Sequence, residues 1–475
     1  MKSATVRIVG ISIHNFKNVI DGSLSLENTR KNYRASIVGL YGQNGSGKTA
    51  LIDSLELLKH VLCGSTIPGK FAEFINVDSD VATLVFEFAV NTLEDTSTLS
   101  YQFSIKSVLD TPERNIASLQ TVDTKKRVCI CNEILKCPIL SDKQIRTGKL
   151  VDTDTTEVFL PRPKRQLLIG NDKESITNLL VAKKLASAQS RSFVFSREFL
   201  DAVRSTLKES MHSDKELSFY TSLIENLVNF GNHELFVINT TNSGLISLNE
   251  QPLSFKFAEG NMGALGSMMI PLNEPALIPL KAKDIVIKVI QNMNTVLQQI
   301  VPGLTISVKD LGTQVLENGK EGSRIQLMSR KNSREIPLNY ESEGIKKLIS
   351  ILQLLIVVYN QPSITVAVDE LDSGVFEYLL GEMLRIISEK GKGQLIFTSH
   401  NLRPLETLDR GFIAFTTTNP HNRYVRMTKV KDNNNLRDFY YRDIMLGEQD
   451  EELYEQTNNA EIALSFRKAG EYFGS

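Results

Sequence analysis

The residues best suited to chemistry stand in four short groups. Gly42-Gln43-Asn44-Gly45-Ser46-Gly47-Lys48-Thr49 matches the phosphate-loop pattern G-x-x-x-x-G-K-[ST] at every fixed position. Glycines there let backbone N–H groups converge on phosphate oxygens, and a following helix N-terminus adds partial positive charge. In this pattern Gly42, Asn44, Gly45, Ser46 and Gly47 form the cradle. Lys48 reaches the β and γ phosphates, and the Thr49 hydroxyl ligates Mg2+. The second group is Asp369-Glu370, two acids closing the apolar run Ile364–Val368. Adjacent carboxylates are costly unless a cation balances them. Asp369 is expected to hold Mg2+ through its water shell, and Glu370 to polarise the attacking water. The third group, Ser399-His400, follows the apolar run Gln394–Thr398. Open α/β sheets bind ligands at that end of a strand, so His400 is placed to contact the γ-phosphate. The fourth is Ser342-Glu343-Gly344-Ile345-Lys346-Lys347, at a helix start. Ser342 and Gly344 offer a hydroxyl and N–H groups to phosphate there, while the same serine also reads as a plain helix cap.

These groups need elements to hold them. Val6, Ile8, Ile11 and Ile13 recur at strand spacing, and Ser36–Tyr41 is a short apolar run before the phosphate loop. After it, Leu51, Ile52, Leu55, Leu58 and Leu62 share one helical face. Residues 81–109 alternate as antiparallel strands, and 174–231, without proline and poor in glycine, reads as helices. The stretch 244–279 reads as loops or short strands, and 281–300 as an amphipathic helix. Strands are expected near 304–308 and 324–328, a helix over 344–359, buried strands at 364–368 and 394–398 with a helix at 376–389 between them. Further strands are expected near 412–415 and 424–427, then a tail that is acidic first and helical later.

Composition bounds the rest. The chain has 475 residues, with 54 basic and 55 acidic side chains and a formal net charge of −1. That balance excludes a globally basic nucleic-acid coat, although local patches remain open. No apolar run reaches the roughly 18 residues of a membrane span, and the N-terminal residues lack a signal-peptide core. Four cysteines cannot make a disulfide scaffold, so the expectation is a soluble, reduced, cytoplasmic protein with no membrane partner.

Phosphate loop, Ser-x-Gly helix, strand with Asp-Glu and strand with His occur in the order found in ABC-type ATPase heads, which the chain resembles. The resemblance covers about residues 1–110 and 280–430. It implies ATP and Mg2+ as ligands, and a dimer in which Ser342 and Gly344 contact the γ-phosphate bound by the opposite subunit. Leu371-Asp372-Ser373 stands where such heads carry the loop that crosses the dimer interface. Ile13-His14-Asn15-Phe16-Lys17 resembles the N-F-K/R strand end of the SMC, RecF and OLD-like group, which adds Lys17 to the nucleotide contacts. For the glutamine-bearing loop of these heads, Gln102 is the candidate.

The long stretch between Thr49 and Ser342 departs from transporter heads, and it lacks the heptads of SMC and Rad50 arms. The remaining match is the AAA15/AAA21 group of ABC-like ATPases. Size and layout are similar to the ATPase subunits of the PARIS anti-phage defence systems, which pair with a Toprim-type nuclease subunit. The resemblance therefore implies an α/β ABC-type head with an antiparallel β lobe and an inserted mixed, partly helical region. The expected division is 1–110 with the phosphate loop, an insertion over 111–280, a second half of the head over 281–430, and a tail over 431–475. The implied activity is ATP hydrolysis at a composite dimer interface, in a sensor or regulatory subunit controlling a separate effector, a nuclease, with a phage protein as trigger. The implied assembly is a dimer at least, with a higher ring open. The alternative is a RecF- or SMC-like repair ATPase that binds DNA. A scaffold that binds ATP without turnover fits Glu370 and His400 poorly.

Two weaker signals complete the reading. Cys129, Cys131 and Cys137 lack zinc spacing and read as a half-buried strand. Basic clusters at 125–127, 162–165 and 330–334 are expected to be solvated loops, with DNA contact possible but not favoured.

Overall fold

The computed structural model describes residues 4–28, 30, 34–91, 96–109, 126–139, 146–210, 214–239, 250–259, 262–271, 274–316, 319–427, 435–446 and 450–471. Its centre is a six-stranded sheet whose strands are collected from the whole chain. Seven strands come first: β1 (Thr5–Phe16), β2 (Val19–Ser25), β3 (Ser36–Tyr41), β4 (Val81–Asn91), β5 (Thr96–Leu109), β6 (Lys126–Ile139) and β7 (Arg146–Asp152). Next are β8 (Leu235–Ile238), the hairpin β9 (Glu250–Glu259) and β10 (Met262–Pro271), β11 (Ala276–Pro279), β12 (Leu304–Val315), β13 (Glu321–Lys331) and β14 (Arg334–Pro337). The last four are β15 (Thr365–Val368), β16 (Gln394–Thr398), β17 (Ile413–Thr416) and β18 (Tyr424–Val425).

The central sheet has the order β18-β17-β3-β16-β15-β8, with β17, β3, β16, β15 and β8 all parallel and β18 antiparallel at the edge. A parallel sheet covered on both faces must be apolar at every position, and period-two alternation then assigns each residue to a face. Val38, Leu40, Ala367, Ile396 and Ala414 face one core. Ile37, Tyr41, Val366, Val368, Leu395, Phe397, Ile413 and Phe415 face the other.

The first core is closed by α1 (Lys48–Leu62) and by an antiparallel sheet of order β2-β1-β4-β5-β6-β7. Four helices pack on that lobe: α2 (Arg162–Ile169), α3 (Lys173–Ala188), α4 (Arg197–Glu209) and α5 (Lys215–Asn229). The second core holds α6 (Leu280–Ile300), α7 (Glu343–Asn360), α8 (Glu377–Lys390) and the sheet β11-β13-β12 with β14 beside β13. Three further helices follow: α9 (Pro404–Thr407), α10 (Leu436–Leu446) and α11 (Asn459–Glu471). Among the described residues, no helix is long and apolar enough to cross a membrane.

The α/β architecture with an antiparallel lobe is therefore the one expected. Several elements differ in extent. The stretch 244–279 holds two ten-residue strands, and β12 and β13 run well past their apolar cores as a paired ribbon. The residues 111–280 are interleaved with the rest: β6 and β7 extend the antiparallel sheet, and β8 supplies the edge of the parallel one. Lys125, of the basic cluster at 125–127, lies outside the described residues.

Gln394 is one of the side chains that tie the two sheets. Gln394, 1% exposed at the start of β16, donates from Nε2 to the Ile8 carbonyl at 2.7 Å. Its Oε1 accepts from the Ile8 N–H at 3.1 Å and from the Thr365 hydroxyl at 3.1 Å. Ile8 sits at a register shift of β1, where strand pairing alone leaves backbone groups unmet. Replacing Gln394 with leucine strands both Ile8 groups in a dry site, so we expect a loss of about 2–4 kcal/mol in urea unfolding. A change below about 0.5 kcal/mol would contradict this tie.

Candidate nucleotide site

Three of the four sequence groups follow the ends of the parallel strands β3, β15 and β16 and so meet at one edge of the sheet. β3 ends at Tyr41 and the loop 42–47 follows, with positive φ of 78° at Gly45 and 92° at Gly47, a region open mainly to glycine. At Gly42 the reason is space, because an added Cβ would stand 1.8 Å from Thr416 Oγ1. The loop is braced from outside. Tyr424 Oη donates to the Gly47 carbonyl at 2.9 Å, and Asn18 Nδ2 donates to the Gly45 carbonyl. Arg423 donates to the Asn18 carbonyl at 2.8 Å. The Ser46 hydroxyl points inward, bonded to the Gln43 carbonyl at 2.6 Å and to Thr416.

A cleft of about 240 Å³ is lined by Lys17, Asn18, Asn44, Gly45, Gly47, Lys48, Thr49, Ala50, Asp369, Glu370 and His400. Lys48 Nζ donates to the Gly42 and Gln43 carbonyls at 2.8 and 3.0 Å. Burial lowers its pKa, and Asp369, Glu370 and Asp372 pull it back up. Lys17, in the left-handed region with φ of 53°, pairs with Asp53 of α1 and lies 4.0 Å from the Phe74 ring centroid. Burial raises the Asp53 pKa, and the bond to Lys17 opposes that.

Thr398 sets the two acids. Its hydroxyl accepts from the Glu370 N–H at 2.7 Å and donates to Asp369 Oδ1 at 2.5 Å. The Asp369 N–H in turn donates to the Ile238 carbonyl at 2.8 Å, which locks β15 to β8. Glu370 has φ of 50°, a strained conformation for a residue with a Cβ, and such strain persists only where surroundings fix it. Asp372 Oδ2 accepts the N–H groups of His400 and Asn401 at 3.1 and 3.0 Å, joining the β15 loop to the β16 loop.

The residues fit a nucleotide and its ion. Cradle, buried lysine and paired acids converge on one cleft, and Thr49 with Asp369 offers the oxygen donors that a hard divalent ion takes. Ser342 and Gly344 do not line this cleft. Ser342 caps α7, its hydroxyl accepting the Ile345 N–H at 3.4 Å, and it is exposed.

Gln102 is corrected by position. It lies mid-strand in β5, opposite Val85 and Ile134, within the antiparallel sheet. The residue at the edge of the parallel sheet is Asn239, which follows β8 beside Asp369, is 2% exposed, and donates to Glu56 Oε2 at 2.5 Å. The run Leu235–Ile238 is apolar but only four residues long, a signal too brief to separate a strand from a helix end. Asn18, Thr398, Arg423 and Tyr424 were equally silent, since each acts through a backbone group or a neighbour.

No family model matches the sequence, and no curated protein matches it. Among solved structures, the SMC head domain from Thermotoga maritima is similar at 12% identity, covering 89% of this chain and 99% of that one, with a TM-score of 0.36. The Pyrococcus furiosus SMC head with an extended coiled coil, bound to the C-terminal domain of ScpA, gives 10% identity, 89% and 96% coverage and a TM-score of 0.39. The ATP-bound recombination mediator protein RecF gives 13% identity, 83% and 94% coverage and a TM-score of 0.33.

Thr398→Val keeps the volume and removes both hydroxyl contacts. Misplacing Glu370 by a fraction of an ångström should slow turnover on the order of tenfold to a hundredfold, with Thr398→Ser restoring it. Steady-state ATPase rates check this, and equal rates for the valine variant and wild type would remove Thr398 from the account.

Proposed function

We propose that this chain is an ABC-type ATPase that hydrolyses ATP at a site completed by a second copy. The observation that carries the reading is the convergence of Lys48, Thr49, Asp369, Glu370 and His400 on one cleft. Phosphates lie in the loop 42–47, with Lys48 released from the Gly42 and Gln43 carbonyls to meet them. Mg2+, held by Thr49 and Asp369, would supply charge neutralisation at the phosphates. Glu370 orients and deprotonates the attacking water, and His400 donates toward the γ-phosphate. Lys17 and Asn18 border the same cleft. Ser342 and Gly344, exposed and half-buried at the start of α7, are free to reach a nucleotide held by the second copy.

The biological role we propose is regulatory: a subunit of an anti-phage defence complex, in at least a dimer, controlling a separate nuclease effector in answer to a phage trigger. It rests on the sequence resemblance to the AAA15/AAA21 group. The repair alternative needs free basic surface for DNA. Among the described residues of the three basic clusters, Lys126 pairs with Glu73 at 3.0 Å, Arg162 and Arg165 with Glu157, and Lys164 with Glu216, while the turn bearing Arg330, Lys331 and Arg334 is exposed. That weighs against a DNA-clamping face. An effector that copurifies at a fixed ratio with the Glu370→Gln chain supports the defence role, and ATP-dependent, salt-sensitive DNA retention without a protein partner supports repair.

Lys48→Ala should abolish nucleotide binding in calorimetric titration. Glu370→Gln should keep binding and lose hydrolysis by roughly 10²–10⁴-fold, the share of a positioned base. Wild-type turnover in the purified glutamine variant would falsify the catalytic assignment.

A further inference from the structure

Lys347 is the one lysine of α7 committed to no partner on its own helix, since its neighbour Lys346 bonds Glu343 at 2.5 Å. It is 4% exposed on a helix whose buried residues are mostly leucine, isoleucine and valine, with Lys346, Ser350 and Gln353 the other polar ones. A buried ammonium is costly unless opposite charge offsets it. The opposite charge here is the loop after β15. Burial lowers the Lys347 pKa, and Glu370, Asp372 and Asp369 raise it.

The contact beside it is tight. A Cβ added to Gly344 would stand 2.6 Å from the Gly374 carbonyl oxygen, and Gly374 itself has φ of 75°. The Lys347 Cβ borders the same place, 3.9 Å from a Cβ built on Gly374. Asp372, whose Oδ2 holds the His400 loop, keeps a buried Oδ1 with no hydrogen-bond partner. The first turn of α7 and the loop 369–374 thus meet through bare backbone, with the buried Lys347 at that seam.

We propose that Lys347 is a positioning residue for hydrolysis: a fixed counter-cation that clamps the loop 369–374 to the first turn of α7 and so holds Glu370 at the cleft. The inference rests on the ATPase reading. Lys48 lies beside the same acids on the cleft side but must turn to the phosphates when nucleotide binds, whereas Lys347 is buried outside the cleft. It also joins the helix start that carries Ser342 and Gly344 to the acid that activates water.

The test compares Lys347→Met, Lys347→Gln and Lys347→Arg with wild type in steady-state ATPase assays, alongside ATP-analogue binding and thermal melting. The methionine and glutamine variants should lose kcat by about tenfold or more with the nucleotide Kd within about threefold, because Lys347 lies outside the cleft. Arginine should restore at least half of the rate. Adding Asp372→Asn to the methionine variant should cost less than the product of the two single losses, since both act on one loop. An unchanged kcat in both neutral variants, an arginine variant no better than methionine, or multiplicative losses would each overturn the proposal. If methionine prevents folding, the glutamine variant carries the comparison. A wild-type chain that binds ATP without turnover defeats the ATPase reading itself, a result distinct from any ranking of the Lys347 variants.

Discussion

Three carboxylates crowd the end of one strand, and the rest of the site is arranged around that charge. Asp369 is 1% exposed, while Glu370 and Asp372 are half-buried within three residues of it. Like charges this close repel one another, and nearby cations offset that cost. Lys48 supplies one from the phosphate loop, and Lys347, buried at the start of α7, is the second that we propose. Thr398 then fixes the first two acids through a single hydroxyl, and Asp372 fastens the histidine loop. The cleft therefore sets Lys17 and Lys48 beside Asp369 and Glu370, two cations facing two acids.

That arrangement depends on the sheet in a specific way. Five parallel strands end at one edge, so loops from distant parts of the chain meet there without long connections of their own. Small residues Ala367 and Ala414 face the core that holds α1, on the strands flanking the central pair, which leaves room for the helix that begins at the phosphate loop. The antiparallel lobe is joined to the parallel sheet by Gln394 at the start of β16, and to the cleft rim by Asn18 and Lys17. Residues after α10 also touch the loop, where the Glu455 N–H donates to Gln43 Oε1 at 3.0 Å. The phosphate loop is therefore in contact with both lobes and with the tail.

Much of this was legible from the sequence because the chemistry demands particular residue types. Only glycine fits at Gly42, Gly45 and Gly47, so their spacing announces the loop before any fold is known. The buried strands β15 and β16 are short apolar runs ending in polar chemistry, and their bounds follow the hydrophobic pattern closely. What stayed hidden acts through tertiary pairing. β8 is four apolar residues whose strand identity comes from its neighbour β15, and Asn239 has meaning only once that pairing places it beside Asp369. Lys346 and Lys347 are both buried once α7 is docked, which the helix-start group by itself does not reveal. Helix α10 left no distinct periodic signal, and Gln102 misled because a glutamine in an alternating strand carries no trace of which sheet it joins.

The central claim is that one catalytic site takes its parts from two chains, and mixing two inactive variants tests it most directly. Lys48→Ala disables the phosphate loop of its own site, and Ser342→Arg disables the site it would complete on its partner. Each variant alone should be inactive. An equimolar mixture, re-equilibrated and assayed for ATP hydrolysis, should regain roughly a quarter of wild-type activity, because half of the random pairs hold one intact site of two. Pairs that form, as shown by differential tags, yet stay inactive would contradict the composite site, as would a Ser342→Arg chain that is fully active alone.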